Sequence, residues 1–311
     1  MNTILFGDCR ESLEAFSMAG VEARMCVTSP PYFGLRDYGV TGQIGLEQTP
    51  DDYVASLVGV FRGVREVLAD DGTLWLNLGD SYANDGKWGG SSGGKHAKAL
   101  HGNTSIGRAR THTGLKPKDL IGIPWMVAFA LRADGWYLRQ DIVWNKPNAM
   151  PESVKDRCTR SHEYIFMLSK NERYFYDADA IKEPAVSTEI KKFTDGGTDK
   201  QRGHSRRHAG FNGRYADKIA QDGVPTHRNK RSVWSVATRP YKGAHFATFP
   251  PDLIEPCILA GSAPGDIVLD PFMGSGTTAA VALQHGRGYV GCELNRAYEV
   301  LQNERIEKAT A

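Results

Sequence analysis

The chain has 311 residues, of which 41% are hydrophobic, 24% charged and 10% aromatic, with a formal net charge of +2. This profile excludes a disordered chain and a collagen-like repeat, and the length suits one large domain carrying an insertion. No run approaches the roughly eighteen apolar residues of a membrane span, and Asp8 and Glu11 fall where a signal peptide needs its apolar stretch, so a cytoplasmic protein with no membrane attachment is expected.

In chain order, Arg24 to Thr28 reads as a buried strand that stops at Ser29-Pro30-Pro31. Thr49 is placed as an N-cap with Pro50 at the first helical position, and Val54, Leu57, Val58, Phe61, Val64 and Leu68 then recur on one helical face. Gly72 lies just beyond that helix, and Thr73 to Leu78 is the next strand. A helix over about 119–133 precedes a strand near Tyr137 to Trp144, and Glu163 to Leu168 forms another. Asp80 is either a pocket carboxylate or the closing residue of a turn. Regular signals resume at Pro250, where Leu253 to Leu259 reads as an apolar helix. This alternation predicts an α/β sheet.

Cys9, Cys26, Cys158, Cys257 and Cys292 form no CxxC pair, so neither a disulfide framework nor a metal site is expected. The small net charge conceals a segregation. Residues 85–118 hold seven Lys and Arg against Asp85 alone, and residues 185–245 hold thirteen against five acids. Two basic segments on an acidic body suit a polyanionic partner. The first begins DGKWGGSSGGKHAK and reads as a long Gly-rich loop; the second contains Phe193, Phe211, Tyr215 and Trp234 and reads as partly folded into a small module.

Asp266 to Ala279 reads as a strand, a glycine-rich turn and a helix of small residues. Gly274 and Gly276 would let backbone approach a ligand, and the next strand, Arg287 to Leu294, ends on Glu293, suited to ribose hydroxyls. No Lys follows the glycines, which excludes a P-loop. Asp270 at the strand tip would repel the pyrophosphate of NAD but matches the cationic end of S-adenosyl-L-methionine.

With Thr28-Ser29-Pro30-Pro31-Tyr32 at the end of the first strong strand, the sequence resembles the amino-group DNA methyltransferases. That family's [D/N/S]PP[Y/F] motif is its catalytic loop, and its DPFxGSGTT motif binds the methyl donor. The order here, catalytic motif first and cofactor motif last, is similar to the circularly permuted β group. Gly7-Asp8, Trp144-Asn145-Lys146-Pro147 and His245 to Leu259 extend the resemblance, which leaves both basic segments unmatched. It implies a doubly wound, Rossmann-like α/β fold with an inserted target-recognition region. It also implies S-adenosyl-L-methionine as cofactor, double-stranded DNA as partner, base flipping, and catalytic roles for Ser29, Pro30, Pro31 and Tyr32. By the same matching, Asp8 contacts the donor adenine, Glu293 its ribose, and Asp270, Phe272, Gly274, Gly276 and Thr278 the donor pocket. His245 and Phe249 fall in a segment near the methionine end, and Asp8 reads equally as the N-cap of the helix that follows it.

The exocyclic amine of a base is a poor nucleophile because its lone pair is delocalised into the ring. The Ser29 hydroxyl and the Pro30 carbonyl would accept its two hydrogens and aim the lone pair at the sulfonium methyl, while Tyr32 stacks on the extruded base. Ser at this position favours cytosine N4 over adenine N6, by resemblance to the family's cytosine members. Carbon-5 chemistry would need a thiolate, and the one Pro-Cys pair, Pro256-Cys257, falls in the apolar helix. RNA or protein-glutamine methylation is more remote. A dehydrogenase would leave the Pro-Pro loop unexplained, and a non-catalytic DNA-binding protein would leave both pockets idle.

The expected organisation is residues 1–84 and 119–177 as catalytic core, 85–118 as a DNA-contacting loop, 178–244 as target-recognition region and 245–311 as the cofactor part of the core. A homodimer and a cognate restriction endonuclease in a restriction-modification system both stay open, with no physical contact implied for the latter.

Overall fold

The structure, a computed structural model, describes residues 1–35, 37–83, 114–185, 221, 225–238 and 249–310. Its strands are β1 (Asn2–Phe6), β2 (Ala23–Thr28), β3 (Leu68–Leu78), β4 (Tyr137–Asn145), β5 (His162–Ser169), β6 (Glu183–Pro184), β7 (His227–Arg228), β8 (Val233–Ser235), β9 (Ile267–Asp270) and β10 (Gly288–Glu293). Its α-helices are α1 (Cys9–Met18), α2 (Pro50–Val67), α3 (Ile123–Ala133), α4 (Pro251–Gly261), α5 (Thr277–Gln284) and α6 (Glu299–Thr310). Among the described residues, eight strands form one sheet in the order β1-β10-β9-β2-β3-β5-β4-β8. Every neighbouring pair is parallel except those made by β5, which runs antiparallel to both β3 and β4.

Side-chain alternation along the central strands divides the core into two faces. Cys26, Leu74 and Leu76 pack in one cluster with Leu13 and Phe16 of α1, Tyr53 and Phe61 of α2, and Val127 and Leu131 of α3. Met25 and Trp75 point the other way, against Gly261 at the end of α4, where an added Cβ would lie 2.9 Å from Met25 Sδ and 3.0 Å from Trp75 Nε1. The sheet is therefore covered on both sides, as in a doubly wound fold.

Local sequence explains most boundaries. The Thr49 hydroxyl accepts from Asp52 N at 3.1 Å, with Pro50 opening α2. The helix then runs straight into β3, which begins at Leu68 rather than Thr73. Pairing with β2 slips between Ala23 and Met25, so β3 bulges around Gly72, where a Cβ would sit 2.8 Å from Ala69 O. Helix α3 begins later than the apolar pattern suggests. The backbone before it pairs instead with residues after β3, through Ala83 N to Asp119 O and Ile121 N to Ser81 O, and Gly122 turns into the helix at φ 85°.

The described chain divides into two compact units, Met1–Asp177 with Ser232–Ala311, and Ala178–Arg231. In the smaller unit β6 pairs with β7, and Glu183 accepts from both Arg228 and Arg231 at 2.9 Å. Trp234, expected in the inserted module, instead belongs to β8 and pairs with Trp144 at the edge of the main sheet. Most of segment 85–118, with Phe193, Phe211, Tyr215 and His245, lies outside the described residues. All five cysteines are free, and among the described residues no helix is long and apolar enough to cross a membrane.

Candidate active site

Parallel strands direct their carboxyl ends to one edge of the sheet, and the site is built there. Ser29, Pro30, Pro31 and Tyr32 follow directly from the tip of β2. Two contacts pin this loop. The Tyr53 hydroxyl of α2 donates to Pro31 O at 2.8 Å, and Gly45, at φ 101°, lies so close that a Cβ would stand 3.1 Å from Tyr32 O. The Tyr32 ring packs on Gly79, where a Cβ would fall 2.5 Å from Cε2.

The polar end of Tyr32 is held as firmly. Its hydroxyl donates to Glu163 Oε2 at 2.8 Å, with Asn77 Oδ1 3.1 Å away, and receives the Ser29 hydroxyl at 3.4 Å. Burial and the neighbouring Glu163 push the Tyr32 phenol well above its usual range, so it stays protonated. Glu163 also forms an ion pair with Lys146, whose ammonium lies 4.2 Å from the centre of the Trp144 ring.

The glycine turn occupies the tips of β9 and β10. Gly274 and Gly276 adopt φ 55° and 82°, a region open to glycine. Glu293 Oε2 accepts from Gly274 N at 2.8 Å and Oε1 from Asn295 N at 2.7 Å, which ties the end of β10 to the turn. Burial raises the Glu293 carboxyl to about 7 against the lowering effect of those backbone bonds. Asp8 caps α1 by accepting from Arg10 N at 2.8 Å, and its bonds from the Arg10 guanidinium hold its carboxyl below the usual range.

The loop and the turn open onto one cavity of about 750 Å³. Ser29, Pro30, Pro31, Tyr32, Asp8, Phe272, Gly274, Glu293 and Phe249 all line it. Asp270, Gly276 and Thr278, expected at the ligand, stand behind the wall instead. Asp270 is 1% exposed and accepts from Thr28 Oγ1 and Thr278 Oγ1, both at 2.6 Å, and from Phe272 N at 3.0 Å. Its carboxylate is consumed in joining strand tips. Gly276 is demanded by helix packing, since a Cβ there would lie 3.2 Å from Gln302 Cα of α6. Asp80 accepts from Gly122 N and Ile123 N at 2.9 and 3.0 Å, capping α3, and does not line the cavity. Cys257 is fully buried in α4.

Asn77 and Glu163 also line the cavity and were not singled out in the sequence; Lys146 and Trp144 appeared only within a matched motif. Asn77 did leave a trace, as the polar residue in the buried run Leu74 to Leu78. Glu163 left none. It is the second residue of β5, and only because β5 runs antiparallel does the head of that strand fall at the carboxyl edge of its neighbours.

The residues present fit S-adenosyl-L-methionine. The buried Ser275 hydroxyl in the turn has no hydrogen-bond partner although it lines the cavity, Asp8 and Glu293 supply acceptors, and no Lys or Arg among the described residues lines the cofactor side. Pyrophosphate would find no cation there.

A doubly wound α/β sheet with a glycine turn and a Pro-Pro loop at adjacent strand tips defines a nucleoside-cofactor enzyme. Residues 23–304 match the DNA methylase family of the N6/N4 type. The chain is 48% identical to the type II methyltransferase M.SmaI of Serratia marcescens over 97% of its own length and 90% of the relative's. It is 49% identical to M.XycI of Xanthomonas campestris pv. cyanopsidis, covering 98% and 88%. Among solved structures it resembles PvuII DNA methyltransferase (cytosine-N4-specific), with a TM-score of 0.60 at 18% identity, covering 100% of this chain and 90% of that one. A DNA modification methylase of Thermus thermophilus, complexed with S-adenosyl-L-methionine, has a TM-score of 0.59 at 23% identity, covering 100% and 95%. These structures establish the shared fold. The chain belongs to the N6/N4 DNA methylase family. It is an S-adenosylmethionine-dependent, site-specific DNA methyltransferase.

Proposed function

We propose that this enzyme methylates the exocyclic N4 of a cytosine rotated out of double-stranded DNA. The observation that carries this reading is that the Ser29–Tyr32 loop and the Gly274 turn share one cavity, with Ser rather than a carboxylate at the loop's first position. The relative PvuII DNA methyltransferase, named as cytosine-N4-specific, supports it.

When bound, S-adenosyl-L-methionine supplies an electrophilic methyl group on its sulfonium. Asp8, Phe272, Gly274 and Glu293 hold the donor, while Asp270 and Thr278 brace the turn from behind. The Ser29 hydroxyl spends its hydrogen on Tyr32, so its lone pairs face the cavity and accept from the amine. The Pro30 carbonyl accepts the second amine hydrogen, and together they aim the nitrogen's lone pair. Ser29 positions; it is no general base at neutral pH. The methylated amine, cationic as formed, loses its proton to water. Segment 85–118 would meet the DNA backbone and residues 178–244, which hold most of the second basic stretch, would read the target, in a cytoplasmic setting where that DNA resides.

The test is to methylate DNA in vitro, digest it and identify the nucleosides by mass spectrometry. N4-methyldeoxycytidine is expected; N6-methyldeoxyadenosine alone would overturn the cytosine assignment and leave the methyltransferase in place.

A further inference from the structure

We propose that Met150 fills the gap in the base stack that the target base leaves when it enters the cavity; this rests on the reading above that the base is rotated out of double-stranded DNA. Two of the exposed large apolar side chains among the described residues line the cavity, Leu35 at 50% exposure and Met150 at 86%. A lone methionine on a protein surface is ordinary. A side chain that lines a cavity and still meets solvent over most of its area stands at the rim, where a duplex delivering a base into that cavity lies against it. Leu35 is the less exposed of the two and is bonded into the catalytic loop, its N–H donating to Tyr32 O at 3.2 Å.

The turn that carries Met150 is fixed on both sides of it. The chain leaves β4 at Lys146, whose N–H donates to Ser161 O at 2.7 Å, and the turn closes with Ala149 N donating to Lys146 O at 3.1 Å. The Asn148 side chain bridges to the chain beyond β8, donating to Thr238 O and accepting from Thr238 N, both at 2.9 Å. Past Met150, Glu152 accepts from Arg157 Nη1 at 2.6 Å. Pro147 and Pro151 stiffen the backbone between these bonds. A held backbone thus carries an outstanding thioether. The turn also stems from the catalytic-loop side of the cavity, because Lys146 pairs with Glu163, the carboxylate that receives the Tyr32 hydroxyl.

Rotating a base out of a duplex costs its pairing and its stacking on both faces. An apolar side chain inserted at the vacated step restores contact to the neighbouring bases and obstructs the return of the extruded one, a use to which DNA-bending proteins put Met and other apolar residues. Successive bases of a strand are only about 3.4 Å apart, so the insert must be slim. Methionine is unbranched, with three rotatable bonds and a polarisable sulfur, and adapts to such a slot without placing a charge between bases. Met150 touches none of the reacting atoms; it is a positioning residue that holds the base in the cavity while Ser29 and Pro30 orient the amine.

The experiment measures single-turnover methylation on two duplexes carrying the protein's own recognition sequence, mapped beforehand. In one the target base is paired; in the other it faces an abasic site, so that extrusion breaks no pair. Met150→Ala should slow methylation of the paired duplex by about 10- to 100-fold and of the abasic-opposed duplex by less than about threefold, because the second duplex needs less help to open. Taking variant against wild type on each duplex cancels any loss of recognition caused by the missing partner. Met150→Leu, which keeps an apolar insert, should stay within about threefold of wild type on both. Cofactor affinity should be unchanged in both variants, and truncating so exposed a side chain removes no core packing. A wild-type rate for Met150→Ala on the paired duplex, or an equal loss on both duplexes, would overturn the role of Met150 and leave base extrusion standing. A fluorescent pyrrolocytosine at the target position reads extrusion directly, by brightening as it leaves the stack. It should brighten with the wild type and less with Met150→Ala; no brightening with the wild type would overturn the extrusion reading and this inference together.

Discussion

The Thr28 hydroxyl donates to Asp270 Oδ1 at 2.6 Å, and this buried bond joins the strand tip that launches the catalytic loop to the one that launches the glycine turn. Thr28 immediately precedes Ser29, and Asp270 opens the segment that leads to Gly274. Thr278 at the start of α5 adds a second hydroxyl to the same carboxylate, at 2.6 Å. The relative position of the two halves of the cavity is thus set by hydrogen bonds that converge on one side chain.

Asp270 should make the fold sensitive to mild alkalinisation from acid. Burial raises its carboxyl from 3.8 to about 6, so the folded protein holds this proton more tightly than the unfolded chain does. Its contribution to stability is therefore full below about pH 3.8 and is lost as pH rises through about 6, on the order of 2–3 kcal/mol in all. Urea unfolding between these values should show this slope in the wild type and a flatter one in Asp270→Asn. Thr28→Val should lower stability by about 1–3 kcal/mol and turnover with it.

Glu293 carries the opposite consequence for the cofactor. Its folded carboxyl stands at about 7, raised from 4.5 by burial, and a donor whose hydroxyls hydrogen-bond to it favours the ionised form. S-adenosyl-L-methionine should bind about tenfold more tightly at pH 8 than at pH 6, with proton release detectable by calorimetry in buffers of different ionisation enthalpy. Glu293→Gln should weaken binding and remove the pH dependence. An equally steep dependence in that variant would move the titrating group elsewhere.

Gly79→Ala is expected to damage turnover without unfolding the protein. The new methyl group would sit 2.5 Å from Tyr32 Cε2, so the ring must tilt away from Glu163 and Ser29. Overpacking of this kind costs about 1–3 kcal/mol. Ser29→Ala should reduce kcat by about 10- to 100-fold at unchanged cofactor affinity, a loss of one amine acceptor. Single-turnover rates beside cofactor titrations read both; full activity in Ser29→Ala would take that hydroxyl out of the mechanism.

DNA affinity should fall steeply with salt. Each phosphate neutralised adds about 0.9 to the slope of log affinity against log salt. Removing most of residues 85–118, with their seven Lys and Arg, should flatten that slope by several units. An unchanged slope would mean that these cations make no phosphate contacts.

Local chemistry dictates several elements before any tertiary contact forms. Thr49 and Pro50 fixed the start of α2, the apolar run ending at Thr28 fixed β2, and the Ser29–Tyr32 and Asp270–Thr278 motifs marked the two strand tips that carry the site. Which of those motif residues face the cavity was decided by the tertiary structure alone. Asp270, Gly276 and Thr278 have the residue types of a ligand site, yet hydroxyls from β2 and α5 and the approach of Gln302 turn them to structural use. Glu163 shows the converse. A carboxylate at the head of an apolar strand has no local signature, because the sequence does not encode strand direction within one segment. The antiparallel pairing of β5 with β3 and β4 brings that carboxylate to Tyr32 and Lys146, and those contacts, from residues 131 and 17 positions away, exist only once the sheet has formed.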